Sequence, residues 1–234
     1  MMSGTHQLDA ATELPLVQGL GDVTPEVIRE VAALASPRRL FAQGHVVRQG
    51  QVAEGLFVLV RGAVKVVRCA ACAPGDVVRV IDVMRAPCVV PDNSVFDGLP
   101  SAASIVTLRA SDFFVLERRA LLHLMATHAS LDRALFAWLV RESRRAMGRL
   151  DELVAGSVKA RVQCLLEGLA AEYGTPLGAG RFIALPLRRH ELASMINATT
   201  ETVSRLLAQL ERDGDVRSTR DGIWLRSVKP KATG

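Results

Sequence analysis

This sequence of 234 residues lacks several features, and each absence excludes a class of protein. No apolar run reaches the roughly 20 residues of a membrane-spanning helix, and residues 1–11 lack the basic-then-apolar pattern of a signal peptide. Four cysteines in a chain of this length do not make a disulfide scaffold. No paired carboxylates, Ser/His/Asp arrangement or phosphate-binding loop stands out. We therefore expect a cytoplasmic protein that is not an enzyme.

The positive charge is concentrated in the C-terminal third. From Gly156 onward the chain has 12 Lys and Arg against 8 Asp and Glu, whereas residues 1–155 have 17 against 16. A hydrophobic content of 49% is enough for the cores of two modest domains. A basic domain suits phosphate contacts, although an excess of four charges does not by itself predict DNA binding.

Residues 187–214 have the pattern of two helices separated by a short turn. The apolar residues at helical spacing are Leu192, Met195 and Ile196 in the first helix and Val203, Leu206, Leu207 and Leu210 in the second. Asn197 tolerates the left-handed conformation of a tight turn, Thr199 can cap the second helix, and Gly214 is typical of a helix end. The pattern predicts a helix-turn-helix. The alternative is an ordinary helical hairpin with a solvated polar face.

The outward face of the second helix carries side chains suited to a DNA major groove. Arginine can hold O6 and N7 of guanine together, glutamate accepts from a cytosine amino group, and serine or threonine serves bases or phosphates. The candidate DNA-binding residues are Thr199, Thr200, Glu201, Ser204, Arg205, Gln209, Arg188 and Arg189. Residues 216–225 read as two strands around an Asp-Gly turn, and a helix-turn-helix followed by a hairpin is a winged helix.

These residues carry a family resemblance. Residues 201–207, Glu-Thr-Val-Ser-Arg-Leu-Leu, followed by Leu-Glu-Arg-Asp-Gly at 210–214, resemble the recognition helix of the CRP/FNR family of bacterial transcription regulators. The Glu-x-x-Ser-Arg arrangement is closer to the FNR branch, because the cyclic-AMP branch usually has Arg where Thr200 stands. Arg188 departs from the family, which usually has a helix-capping Thr there. The resemblance implies a homodimer on an inverted repeat of TTGAT-like half-sites, with RNA polymerase as a partner.

Residues 39–116 consist of short β-branched segments separated by glycines, which indicates a sandwich or barrel. Residues 44–50 and 56–67 resemble the start of the family's jelly-roll sensor domain. Residues 174–180 are predicted as a loop and 181–187 as an edge strand. We therefore expect an α+β fold in three parts. These are an arm and β jelly-roll of the cyclic-nucleotide-binding type (1–125), a dimerisation helix and hinge (126–155) and a winged-helix DNA-binding domain (156–234).

Apolar residues recur every three or four positions between Leu131 and Leu153. A helix of this length needs a partner along it, and in the resembled family it pairs with its twin across a two-fold axis. The predicted dimer interface consists of Leu131, Leu135, Trp138, Leu139, Ala146 and Leu150. The alternative is a helix packed only on its own barrel.

The segment that would bind an effector differs from the family's cyclic-AMP site. Members that bind cyclic AMP have a Gly-Glu-Leu segment and then an Arg-Ser pair that grips the cyclic phosphate. Here Pro91 and Asp92 occupy the positions of the Gly and Glu, and Ser101 and Ala102 lie where the Arg-Ser pair would be. A phosphate buried without its arginine loses its hydration with little compensation. We therefore expect control by a small ligand, haem or a redox signal and not by cyclic AMP.

An alternative is a cyclic-nucleotide-responsive regulator with an altered phosphate anchor, for which Arg109 and Arg85 are candidates. The predicted effector pocket consists of Cys88, Val90, Asp92, Ser101 and Ala102. The candidate ligands of a haem iron or other metal are Cys88, His123 and His128; each histidine has a structural role as its alternative. Cys69 and Cys72 have metal-like spacing, but no second pair accompanies them, so they can equally be small apolar residues of a barrel.

Overall fold

The computed structural model describes residues 9–17, 19–70, 77–154 and 156–226, without the side chains of residues 70, 77 and 150–154. These residues divide into two compact units. One holds the described residues up to Val78 together with Asp82–Ala146, and the other holds Arg79–Ile81 together with the described residues from Met147 onward. Cys72, one of the candidate metal-spaced cysteines, lies outside the described residues.

The strands described between Ser36 and Glu117 form two four-stranded sheets with strand orders β1-β8-β3-β6 and β2-β7-β4-β5. The strands are β1 (Ser36–Leu40), β2 (His45–Val47), β3 (Gly55–Arg61), β4 (Ala63–Ala70), β5 (Val77–Arg85), β6 (Cys88–Val89), β7 (Ser104–Thr107) and β8 (Ser111–Glu117). β3 lies between β8 and β6 and is buried on both faces, which explains its continuous apolar sequence. The rings of Phe57 and Phe113 meet edge to face, with centroids 6.1 Å apart, and help to fill the core between these sheets.

Helices pack around the sheets. They are α1 (Ala10–Glu13), a 3-10 turn at Leu14–Leu16, α2 (Pro25–Leu34), α3 (Ser94–Asp97), α4 (Arg118–Thr127) and α5 (Ala129–Val154). The N-terminal arm belongs to the core, because Leu14, Val17 and Leu20 are all buried there. Gly19 lies in this arm with φ +103°, and a Cβ at that position would lie 3.0 Å from the Trp138 ring, so the position favours glycine.

The second unit is a winged helix-turn-helix. Its elements are α6 (Val158–Tyr173), β9 (Gly174–Leu177), β10 (Gly180–Ile183), α7 (Arg189–Met195), α8 (Thr200–Arg212), β11 (Val216–Ser218) and β12 (Ile223–Arg226). The strand order is β11-β12-β10-β9. Two predictions were wrong: residues 174–177 form a strand, and β10 is an interior strand that pairs with β9 on one side and β12 on the other. Each unit contains both β-sheets and helices, which confirms the predicted α+β fold. Within the described residues, no helix is long and apolar enough to cross a membrane.

Candidate DNA-binding surface and effector segment

Local chemistry defines both ends of the recognition helix α8. The Thr199 hydroxyl accepts a hydrogen bond from the backbone N–H of Thr202 at 3.2 Å, so Thr199 caps the helix as predicted. Asn197 has φ 53° in the turn before it, and Gly214 has φ 75° after it. Both residues therefore adopt the left-handed conformation that the sequence predicted.

The N-terminus of α7 is capped in a different way from the family pattern. Arg188 occupies the N-cap position, where the family usually has Thr. The backbone N–H of Arg188 donates to Oε2 of Glu191 at 2.7 Å, and Glu191 is buried. A carboxylate in the first turn thus satisfies a backbone donor that a helix start leaves free. The departure at Arg188 does not remove the helix.

The two faces of α8 differ in burial. Val203, Leu207 and Leu210 are buried against the rest of the unit. On the other side Glu201, Arg205 and Gln209 are exposed and Ser204 is half-buried. Thr199, the N-cap, and Thr200, the first residue of α8, are exposed as well. The structure therefore presents the predicted α8 residues together on one accessible side of a capped helix.

Arg189 differs from the other candidates, because its guanidinium is engaged within the unit. Its Nη1 donates to the carbonyl oxygen of Ser204 at 3.1 Å, and its Nη2 lies 3.9 Å from Oε2 of Glu211. Arg188, one residue earlier, is exposed.

Two further exposed arginines of this unit were missed by sequence reasoning. Arg212 is exposed eleven residues after Glu201, which is close to three helical turns, so the same periodicity identifies it. Arg220 is exposed in the turn between β11 and β12. Thr219 holds that turn closed, since its hydroxyl donates to the Gly222 carbonyl at 2.9 Å and accepts from the Gly222 N–H at 3.2 Å. A rigid wing with a cation at its tip suits a phosphate contact.

The predicted effector pocket falls on β6, on the segment between β6 and α3, and on the segment between α3 and β7. Asp92 is buried; its Oδ1 accepts from the backbone N–H of Ser94 at 2.8 Å, and its Oδ2 has no hydrogen-bond partner among the described residues. Ser101, where the phosphate-binding Arg would stand, is buried and its hydroxyl donates to the Ala103 carbonyl at 2.8 Å. Ala102 is exposed. The other predicted members are Val90, which is buried in the core, and Cys88, which is half-buried.

Arg109 is a poor anchor for a phosphate at Ser101. Ser101 precedes β7 and Arg109 follows it, so the strand's four residues, roughly 13 Å long, separate them. Arg118 is closer to the effector segment: its Nη2 would lie 3.0 Å from a Cβ on Gly98, at the end of α3. The Nε of Arg118 is buried and has no hydrogen-bond partner among the described residues.

The predicted dimer interface on α5 needs correction. Leu131, Leu135 and Trp138 are buried in the core of their own unit, and Leu139 packs partly against it, because this face of the helix lies against the sheets and the N-terminal arm. These side chains are not available to a partner. Ala146 is exposed, and the side chain of Leu150 lies outside the described residues. Among the side chains of α5 that the structure describes, the large apolar ones that are exposed are Phe136 (67%), Val140 (36%) and Met147 (67%).

The candidate metal ligands lie on separate elements. Cys88 is on β6, His123 is exposed on α4, and His128 follows α4. Nε2 of His128 lies 3.0 Å from Oε2 of Glu30 on α2, a contact that supports the structural role given as its alternative. Among residues 9–226, apart from the undescribed ones, no group of three or more His, Cys, Asp and Glu is arranged to hold a metal ion.

Known proteins resemble both units. A family model described as a cyclic nucleotide-binding domain matches residues 37–128, and one described as a Crp-like helix-turn-helix domain matches residues 160–229. The CRP-like cAMP-activated global transcriptional regulator of Mycobacterium tuberculosis is 28% identical over 178 residues, which are 76% of this chain and 78% of that protein.

Two solved structures share the fold. FixK2 from Bradyrhizobium japonicum has a TM-score of 0.71 at 20% identity, over 82% of this chain and 93% of its own. The c-di-GMP-responsive global regulator CLP of Xanthomonas campestris has a TM-score of 0.69 at 20% identity, over 88% of this chain and 100% of its own. With an N-terminal domain that matches the cyclic nucleotide-binding model, a Crp-like helix-turn-helix and relatives that are transcription regulators, this chain belongs to the CRP/FNR family of DNA-binding transcription regulators.

Proposed function

We propose that this protein is a homodimeric, sequence-specific transcription regulator that reads an inverted DNA repeat and responds to an effector other than cyclic AMP. The observation that carries the DNA-binding part is the accessible side of α8, where Glu201, Ser204 and Arg205 stand opposite a buried apolar stripe. These side chains offer the donors and acceptors that base edges in a major groove require. Thr200 and Gln209 extend the same side, and Arg188, Arg212 and Arg220 supply phosphate contacts around it.

The test of this assignment is the affinity of Arg205→Ala for a duplex with an inverted TTGAT repeat. We expect a loss of about 1–3 kcal/mol and relaxed specificity at one base pair of each half-site. Arg141→Ala, an exposed arginine on α5, is the matched control and should bind as the parent does. Unchanged affinity of Arg205→Ala would remove this residue from the interface. Thr200→Arg should shift the preference towards the half-site of the cyclic-AMP branch.

Dimerisation is proposed through the exposed side of α5. Phe136, Val140 and Met147 are separated by four and seven residues, which is the spacing of a coiled-coil seam. In the sequence the spacing continues to Leu150 and Val154. A symmetric dimer matches a palindromic site, because two-fold related recognition helices meet half-sites one DNA turn apart.

The effector assignment is supported by the groups around the missing Arg-Ser pair. The Ser101 hydroxyl donates to a backbone carbonyl, and the same segment holds the buried carboxylate of Asp92, which would repel a phosphate. The Mycobacterium tuberculosis relative is activated by cyclic AMP and the Xanthomonas campestris neighbour responds to c-di-GMP, so the fold accommodates different effectors. A ligand that carries a hydrogen-bond donor and no phosphate fits the Asp92 oxygen.

A second candidate is a cyclic-nucleotide-responsive regulator with Arg118 as its altered anchor, favoured by the guanidinium that lies against Gly98. Calorimetry on the full chain separates the two. We expect no cyclic AMP binding at micromolar concentration by the parent, and binding by a Ser101→Arg, Ala102→Ser double variant. Micromolar binding by the parent that Arg118→Ala abolishes would establish the second candidate.

The remaining parts of the proposal follow from regulation of transcription. RNA polymerase is the proposed partner and the cytoplasm the proposed location, and no catalytic activity is proposed. The functional division of the chain is a sensor over residues 1–125, a dimerisation helix and hinge over 126–155 and a DNA-binding domain over 156–234.

A further inference from the structure

Arg189 connects the two helices of the helix-turn-helix. It is the first residue of α7, and its two contacts, Ser204 and Glu211, both belong to α8. Ser204 and Glu211 are seven residues apart, which is nearly two full turns, so they lie on the same side of the recognition helix. One guanidinium therefore contacts α8 at two levels along its axis, with its Nη1 on the Ser204 carbonyl and its Nη2 towards the Glu211 carboxylate.

The contact with Ser204 is to the main chain. Its 3.1 Å hydrogen bond joins a charged donor to the backbone of a residue whose side chain is proposed to read bases. Because a backbone carbonyl moves only with its helix, the bond restrains the position of α8 itself and not merely that of a side chain. The ion pair with Glu211 is longer and half-exposed, so it orients the guanidinium and adds little binding energy.

The geometry points to Arg189 as a positioning residue that fixes the recognition helix against α7, in contrast to the direct DNA contact that the sequence predicted. This inference rests on the proposed DNA-binding function. An arginine is suited to the role because its planar fork reaches two acceptors at once. A lysine keeps the positive charge, but its ammonium group is a single point charge. It can therefore contact a phosphate, but it cannot contact the Ser204 carbonyl and the Glu211 carboxylate at once.

The experiment compares Arg189→Lys and Arg189→Ala with the parent, with Arg188→Lys and Arg188→Ala as the matched pair one residue away. Affinity for the inverted-repeat duplex and for a scrambled duplex is measured over a salt series. Arg189→Lys and Arg189→Ala should both lose about tenfold in affinity for the repeat. The affinity for the scrambled duplex and the salt dependence of binding should stay unchanged. Arg188→Ala should behave as a lost phosphate contact, with weaker binding to both duplexes and a salt slope lower by about 1.

Two results of the binding experiment would overturn the inference. In one, Arg189→Ala shows the lower salt slope and Arg189→Lys restores binding, which would make Arg189 a phosphate ligand. In another, thermal stability falls while both affinities stay at the parent's values, which would make the contact structural only. If the parent itself does not distinguish the duplexes, the proposed function fails. Amide exchange in α8 then decides this inference: it should be faster in Arg189→Lys than in Arg188→Lys, and equal rates would contradict it.

Discussion

The ring of Phe96 lies against the indole of Trp138, with ring centroids 6.5 Å apart and planes inclined at 45°. Phe96 belongs to α3, which lies within the effector segment between Asp92 and Ser101, and Trp138 belongs to α5. The backbone of Gly19 in the N-terminal arm also lies close to this indole. The two rings therefore give the effector segment a direct packing contact with the helix on which dimerisation is proposed.

We expect the two rings to be energetically coupled. In a double-mutant cycle of Phe96→Leu and Trp138→Phe, the coupling energy should be about 0.5–1.5 kcal/mol, as for other aromatic pairs. The free energy of unfolding from denaturant titration of the full chain is the measurement. A second cycle of Phe96→Leu with Trp224→Phe, in the other unit, should give additive effects. Additive effects in the first cycle would show that the two rings are not energetically coupled.

Phe136→Glu combined with Val140→Glu should convert the proposed dimer to a monomer. The charges would be buried in the proposed seam on α5, where neither has a partner. Sedimentation at micromolar concentration measures the change, and Arg141→Glu on another side of α5 should leave the dimer intact. Leu135→Glu should instead unfold the sensor unit, because Leu135 is fully buried within its own chain. A folded, dimeric Phe136→Glu, Val140→Glu protein would place the seam elsewhere.

Glu191→Ala should destabilise the DNA-binding unit by about 0.5–2 kcal/mol, as loss of other helix caps does. Its carboxylate satisfies the backbone N–H of Arg188, and the alanine leaves this donor without an acceptor. Glu191→Gln keeps an acceptor at the same place and should cost less. Thermal unfolding followed by circular dichroism gives both values. Equal losses in the two variants would show that the charge, and not the hydrogen bond, is what matters.

Asp92→Asn should stabilise the protein without its effector by roughly 1 kcal/mol. The substitution keeps the oxygen that accepts from the Ser94 N–H and removes the charge from a buried group with one unpartnered oxygen. Asp97→Asn is the control, since Asp97 is exposed. A destabilised Asp92→Asn protein would mean that the carboxylate has a structural role within the sensor unit.

The helix-turn-helix could be predicted because its signals are local. The cap at Thr199, the left-handed turn at Asn197 and the glycine at 214 each depend on backbone groups a few residues away. A short sequence therefore contains both partners of each interaction. The same holds for the wing, where an Asp-Gly turn joins adjacent strands. The strand at 174–177 gave no such signal, since its four residues include a proline and pair only with β10.

The sequence by itself determined that α5 is a long amphipathic helix, but it offered two apolar sides at nearly the same spacing. Leu135 and Trp138 lie on one and Phe136 and Val140 on the other, and only the sheets and the N-terminal arm decide which pair is buried. The contacts of Arg189 also depended on the tertiary structure. The sequence placed Arg189 at a helix start, and the packing of α7 on α8 brought the Ser204 carbonyl within hydrogen-bond distance. Periodicity determines which residues share a side of a helix, whereas burial depends on elements distant in the chain.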